Sequence, residues 1–332
     1  MRFGPSIHRR GSGSVAVAAT LALALAGAVA AAGCGDRPAP PLRIGLSVWP
    51  PYEMPFLARE LGYLPDLDLD LVDMRTPDGV MRAYRNGMID GVALTAEYAV
   101  DFATFGGDDR IILAIDVSNG ADALVARADV PDLAALRGKR IGAENEALGL
   151  HVLTRALATA GLTRADVTIV PIDLASQRAA FEAGEVDAVV TYEPTRTQLL
   201  RTGAHELFSS RQMPDEIVDV LVMRQAVLDQ RPAAVRALID GWLRAVDYAR
   251  AHPADAARRM AAREGMTPEE VAASFDGVVL LDRAANLRLL GGPAPALVPT
   301  LRRLAATMVE FRLIDAVPPV ETLVTDAMVR ER

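Results

Sequence analysis

Two α/β lobes, each a mostly parallel sheet flanked by helices, are the architecture that this 332-residue sequence predicts. Three observations carry that reading. Short apolar runs alternate with helical patterns from Leu42 to Met223, as in parallel sheets built from strand–helix–strand units. One such unit occurs twice. Arg82–Thr95 (RAYRNGMIDGVALT) is echoed by Ala179–Thr191 (AAFEAGEVDAVVT), with Gly87 and Gly184 aligned, and Asp90 and Asp187 likewise, 97 positions apart. Between the copies stands Ile111–Arg127 (IILAIDVSNGADALVAR), two apolar strands around a Ser-Asn-Gly turn. Asn-Gly between apolar runs is a hairpin signal. Two similar units joined by this crossover predict a cleft between two lobes.

Taken in order, residues 1–33 have the layout of an export signal. A basic segment ends at Arg9-Arg10, an apolar run extends from Val15 to Ala32, and small residues lead to Cys34. Gly35–Pro41 is polar and proline-rich, as a tether is. Leu42–Trp49 reads as a strand ended by Pro50-Pro51, and Glu53–Leu61 as a helix stopped by Gly62. Leu67–Val72 alternates with period two and is a strand. Pro77 starts a helix that Gly87 ends, Ile89–Leu94 is a strand, and Ala96–Phe105 is helical. Beyond the central stretch come a short helix at Pro131–Arg137, a strand at Lys139–Ala143 and a helix at Ala147–Ala160. Val167–Ile172, Val186–Thr191 and His205–Phe208 are further strands. Val218–Met223 is the last apolar strand, read as the return crossing into the first lobe. The remainder is helical. Val235, Leu238, Ile239, Trp242, Leu243 and Val246 form one stripe, so Trp242 belongs to the core. Thr267-Pro268-Glu269-Glu270 opens another helix, and Leu297–Leu313 is a final amphipathic one.

Charge and composition exclude several functions. The net charge is −8, and removing the three arginines of residues 1–33 leaves −11 for the rest. Phosphate backbones need a basic face, so nucleic acid is excluded as a partner. Lys139 is the one lysine, and a lone cysteine forms no intrachain disulfide. The four histidines (His8, His151, His205, His252) lack metal-ligand spacing, and His151 reads as a surface or packed residue. There is no Gly-x-Ser-x-Gly elbow, phosphate loop or dinucleotide glycine fingerprint. No cofactor or metal is expected, and no enzymatic activity.

Ligands of open α/β sheets bind beyond the carboxyl ends of the strands. Applied here, that rule selects Trp49 and Tyr52 after the first strand, and Thr95 and Glu97 after the Ile89 strand. The crossover contributes Asp116 and Asn119, with Ser118 and Asp122 alongside. The second lobe offers Glu144 and Asn145, then Tyr192 and Glu193. These segments hold aromatics and carboxylates but no Arg and no Lys. An anion would want an arginine fork or bare helix N-termini. Aromatic faces with carboxylates suit a cation or an amine-bearing ring. Acids in the first turn of a helix also complement its dipole, which is the competing explanation of Glu97 and Glu144.

Several stretches together resemble a known family. They are Trp49-Pro50-Pro51-Tyr52-Glu53, Asn86-Gly87-Met88-Ile89-Asp90, Leu136-Arg137-Gly138-Lys139-Arg140-Ile141-Gly142, Gly184-Glu185-Val186-Asp187 and Tyr192-Glu193-Pro194. The chain resembles the solute-binding proteins of ABC importers in the nitrate, sulfonate, taurine and thiamine-precursor class. The N-terminus is similar to a bacterial lipoprotein signal, in which Cys34 would carry the lipid, although Ala31 stands where that signal usually has Leu. The resemblance implies a type II periplasmic-binding-protein fold. Residues 1–33 would be the signal, 34–41 a lipid-anchored linker, 42–122 plus 222–332 the first lobe, and 123–221 the second. It further implies a monomer held at a bacterial membrane, periplasmic or on the cell surface, that delivers a small solute to a permease and its ATPase. The acidic strand ends lean toward a neutral or cationic nitrogenous solute of thiamine-precursor type, the alternative being an anionic sulfonate or nitrate. The same fold also serves pyridoxal-phosphate-dependent pyrimidine synthases and sensor domains. Lys139 is poorly placed for a Schiff base, and the cysteine-rich motif of those enzymes is absent.

Overall fold

The computed structural model describes residues 1, 2, 4, 40–64, 68–74, 76–144 and 147–330. Apart from residues 1, 2 and 4, the expected signal lies outside the described residues, as do Cys34, the expected lipidation site, and Asn145. By compactness the chain divides into Met1–Pro41 and Leu42–Arg332. Every described strand and helix lies in the second unit.

Eleven strands among the described residues form two mixed sheets. The first contains β1 (Leu42–Leu46), β2 (Leu69–Asp73), β3 (Gly91–Thr95), β4 (Asp109–Ser118), β10 (Val218–Arg224) and β11 (Val278–Leu280), in the order β11-β4-β10-β3-β1-β2. The second contains β5 (Ala123–Ala126), β6 (Arg140–Ala143), β7 (Thr168–Pro171), β8 (Ala188–Thr191) and β9 (His205–Ser209), in the order β7-β6-β8-β5-β9. Helices cover both faces, so central strands are buried on both sides. This is why β4 and β10 read as continuous apolar runs rather than alternating ones. Trp242 is fully buried in the core of the first sheet, as its stripe predicts.

The hairpin expected at Ile111–Arg127 does not form. β4 and β5 belong to different sheets, and Asn119-Gly120 lies in the segment that crosses between them. The first strand laid down after each crossing is antiparallel to its neighbours: β5 to β8 and β9, and β10 to β3 and β4; β11 adds a further antiparallel strand beside β4. The two crossings are tied together. Ser118 and Ser210 share a hydroxyl–hydroxyl bond of 2.8 Å, Gly120 N donates to Ser210 Oγ, and Ser210 N donates to the Asp122 carbonyl.

The twofold repeat runs deeper than the aligned Gly and Asp. Gly87 and Gly184 both have positive φ and terminate helices (Pro77–Arg85 and Leu174–Glu182), where a left-handed residue costs least as glycine. Asp90 then accepts from the Arg43 backbone N–H (2.9 Å) and guanidinium (3.0 Å), while Asp187 does the same for Arg140 (2.8 and 3.1 Å). Each arginine also donates to the helix-ending glycine carbonyl, Gly87 or Gly184. The clamp fixes the register of two parallel pairs, Ile44↔Gly91 and Ile141↔Ala188, again 97 positions apart. It also sets the level at which β1, β3, β6 and β8 end. Asp187→Ala removes a backbone and a charge-assisted hydrogen bond together, and should lower unfolding free energy by roughly 1–3 kcal/mol. Urea denaturation measures this, with Asp90→Ala giving a loss of the same order. A change within about 0.3 kcal/mol for both, the scale of ordinary surface substitutions, would contradict the clamp.

Candidate functional site

The carboxyl ends of β1, β3 and β8 converge on one cavity that is partly open to solvent. Its wall takes Ser47, Val48, Trp49 and Tyr52 from the end of β1, and Leu94, Thr95 and Tyr98 from β3 and the helix after it. The second sheet contributes Val190, Thr191 and Tyr192 from β8, with Glu144 and the start of helix Ala147–Thr159. Asp122 comes from the first crossing and Asp219 from the second. The lining contains no Arg, Lys or His.

Two aromatics are anchored by acids. Trp49 donates its indole N–H to Asp116 Oδ2 at 3.1 Å and meets Tyr192 edge-on, with ring centroids 6.0 Å apart. Tyr52 donates its hydroxyl to Asp219 Oδ1 at 2.5 Å. Asp116 and Asp219 are direct cross-strand partners on β4 and β10, and Asp219 also faces Thr95 on β3. Buried side by side, the two carboxyls disfavour simultaneous ionisation. Burial is the main cause of their perturbation. It pushes Asp219 up to about 7 against the lowering hydrogen bonds of Tyr52 and Asp116. Asp116 rises well above the carboxylate range through burial and the charge of Asp219. Burial pushes Asp122 up to about 8, opposed by a hydrogen bond from Ser118 and reinforced by Asp219, Glu97 and Glu193.

The sequence-selected residues are distributed unevenly. Trp49, Tyr52, Thr95, Glu144 and Tyr192 line the cavity. Asp116 sits one layer behind it, under Trp49. Glu97 is 2% exposed in the first turn of helix Ala96–Thr104. Neither of its carboxyl oxygens has a hydrogen-bond partner among the described residues, and burial pushes its pKa up, opposed in part by its own backbone N–H. Glu144 accepts from Leu174 N, the first residue of helix Leu174–Glu182, so it serves a helix start other than the one nearest in sequence. Glu193 is turned inward. It accepts from Arg196 (3.0 Å) and from the backbone and hydroxyl of Thr197, and is absent from the lining. Asn119 is solvent-exposed on the crossing and also absent from the lining. His151 is a packed residue, 2.9 Å from Glu216.

Asp122, named alongside the crossover residues, lines the cavity, whereas Asp219 was not among the candidates. The signal for Asp219 was present in the sequence, as a single acid inside the apolar strand Val218–Met223. Its strand begins at the site, whereas the carboxyl-end rule selects only strands that finish there. Among the described residues no group of three or more His, Cys, Asp or Glu could hold a metal ion.

These raised acids destabilise the empty protein as pH rises. Unfolded aspartates titrate near about 3.9, so between that value and 7–8 the folded state holds protons that the unfolded state has released. The melting temperature of the unliganded protein should fall by roughly 5 °C between about pH 5 and 8. The Asp122→Asn/Asp219→Asn double variant should flatten that slope. A wild-type profile that is flat or rising there would contradict the assignment.

Comparison with known proteins agrees with this architecture. The fold is that of periplasmic binding proteins. It matches the alkanesulfonate-binding protein SsuA of Xanthomonas axonopodis pv. citri bound to MOPS, with TM-score 0.69, 21% identity, and 87% of this chain and 98% of that one covered. It also matches the periplasmic aliphatic sulphonate binding protein SsuA of Escherichia coli, with TM-score 0.71, 17% identity, and 88% and 99% covered. The desulfurization enzyme DSZB shares the fold at TM-score 0.63 and 20% identity, with 86% and 97% covered. A curated relative of Brucella abortus (strain 2308), named "Putative binding protein", is 27% identical over 189 residues. That match takes in 53% of this chain and spans 59% of the relative's length. No helix among the described residues is long and apolar enough to cross a membrane. The model of the NMT1-like family matches residues 35–264, and the chain belongs to that family.

Proposed function

We propose that this chain is the extracytoplasmic solute-binding component of an ABC import system. In this reading it is a monomer, tethered to a bacterial membrane through a lipid on Cys34, and hands a small solute to a permease and its ATPase. The solute is cationic or neutral and nitrogenous, held between the two sheets. One observation carries the choice of solute: the cavity presents Asp122, Glu144 and Asp219 beside Trp49, Tyr52, Tyr98 and Tyr192, with no basic side chain. Aromatic faces and carboxylates in a partly desolvated cavity favour an ammonium or an amine-bearing ring. Contacts drawn from both sheets would stabilise the closed arrangement of the lobes, and that arrangement is what a permease would read.

A second reading has one observation in its favour. The cavity reaches Pro77, Leu148 and Gly149, at the starts of helices Pro77–Arg85 and Ala147–Thr159. Helix N-termini attract anions such as sulfonates. Against it, Glu144 stands beside one of these starts and Asp78 occupies the first turn of the other.

Thermal-shift measurements against matched amines, aminopyrimidines and alkanesulfonates separate the two readings. A nitrogenous solute should raise the melting point by ligand linkage. Stabilisation by sulfonates alone would overturn the solute assignment and keep the receptor role. Trp49 and Trp242 are the two tryptophans, and Trp242 is sealed in the core. Solute binding should therefore alter emission from Trp49. Trp49→Phe should abolish that change, and Trp49→Ala should weaken binding by about tenfold or more, as for a buried aromatic anchor. Unchanged affinity in Trp49→Ala would remove Trp49 from the site.

A further inference from the structure

The carboxyl pair on the two crossing strands suggests how the solute's charge is met, an inference that rests on the receptor reading above. Asp219 lines the cavity, and Asp116 lies directly behind it on the neighbouring strand. Each is held by one fixed donor, Tyr52 on Asp219 and Trp49 on Asp116, and both donors reach them from the same turn after β1. Asp116 Oδ1 is buried and has no partner among the described residues, apart from the approach of Asp219 itself. A second observation points to a ligand independently of these acids. Thr191 lines the cavity from the opposite sheet and is 1% exposed, and its buried hydroxyl has no hydrogen-bond partner among the described residues.

We propose that Asp116 and Asp219 form a proton-exchanging counter-ion for an organic ammonium. Asp116 keeps its proton and donates it to Asp219, while Asp219 gives up its own proton to bulk water as the ammonium docks against it. The exchange balances: one cation enters and one proton leaves, with no covalent or redox step. In the empty cavity the protonated pair avoids burying a net charge. With the solute bound, the anion is compensated by the ammonium. Asp116 is a positioning residue here, and Asp219 is the group that touches the solute.

The groups facing the pair set the pH window. Tyr52 and Trp49 donate to it, and Thr95 adjoins Asp219 on β3. On β11 the residue paired with Asp116 is the apolar Leu280. Glu97 raises Asp219, and Asp122 raises Asp116. Glu144 and Tyr192 complete the titratable wall from the second sheet. The basic side chains His151 and Arg155 are engaged with Glu216, and Arg196 with Glu193 and Glu206. Burial holds Asp219 near 7, so exchange falls in the neutral range.

The test uses benzylamine as an ammonium-bearing aromatic probe, with benzyl alcohol and phenylmethanesulfonate as matched controls. Calorimetry in buffers of different ionisation enthalpy counts the protons. Benzylamine affinity should rise about tenfold per pH unit from about pH 5 to 6.5 and level off above pH 8. Asp219→Asn should lose about one released proton relative to wild type. Asp116→Asn, whose amide can still donate to Asp219 but holds no acidic proton of its own, should still release about one proton per benzylamine bound, and Asp122→Asn should keep the proton assigned to Asp219. Should Asp219→Asn fail to fold, the wild-type pH slope and the Asp116→Asn arm decide the matter. A pH-independent affinity, or a proton count that Asp219→Asn leaves unchanged, would overturn the exchange while leaving the receptor intact. Binding of phenylmethanesulfonate but not benzylamine would overturn the ammonium and spare the receptor. Failure of all three probes and of the wider solute panel would overturn both.

Discussion

An ionised carboxylate out of reach of water and of any counter-charge is among the most expensive things a protein can hold. This molecule gathers Glu97, Asp116, Asp122 and Asp219 where its chain passes between two sheets. The surrounding design answers that constraint. Trp49 and Tyr52 turn their polar tips toward the acids and leave their ring bodies to shape the cavity wall. The remaining charge is suppressed by protonation, as the raised pKa values of Asp219 and Asp122 express. Such a cluster lowers stability as pH rises, and perturbed acids gathered in a cavity are what mark it as a candidate site.

The two halves are built alike and used differently. Arg43 with Asp90 and Arg140 with Asp187 set the same strand register twice, and so bring the ends of β1, β3 and β8 to a common cavity. Beyond the clamp the halves diverge. The first sheet supplies the acid pair and both anchored aromatics from β1, β4 and β10. The second supplies Tyr192, the Thr191 hydroxyl and Glu144. Ser118 and Ser210 lace the two crossings together, and Ser210 N also donates to the Asp122 carbonyl.

Most of the fold was legible because parallel strands buried on both faces leave short apolar runs, and glycine caps mark where helices stop. The hairpin reading of Asn119-Gly120 failed because local turn chemistry says nothing about which sheet the next strand joins. β4 and β5 each found better partners elsewhere. At the site, the aromatic and threonine candidates line the cavity because a side chain just past a strand end has few other places to go. The acids were harder. Glu193 is drawn into its own helix start by Arg196 and Thr197, a pairing that i+3 and i+4 spacing could have suggested. Asp219 escaped notice because strand pairing across about 100 residues, not local pattern, sets it against Asp116.

The central claim is that the cavity between the sheets holds a small solute bearing positive charge or basic nitrogen. Native mass spectrometry of the mature protein purified from its own host, followed by identification of whatever is released on denaturation, tests that claim most directly. A single small molecule with an amine or nitrogen heterocycle, retained by the wild type and lost in Asp219→Asn, is the predicted result. Recovery of a sulfonate or another strong acid from the same cavity would contradict it.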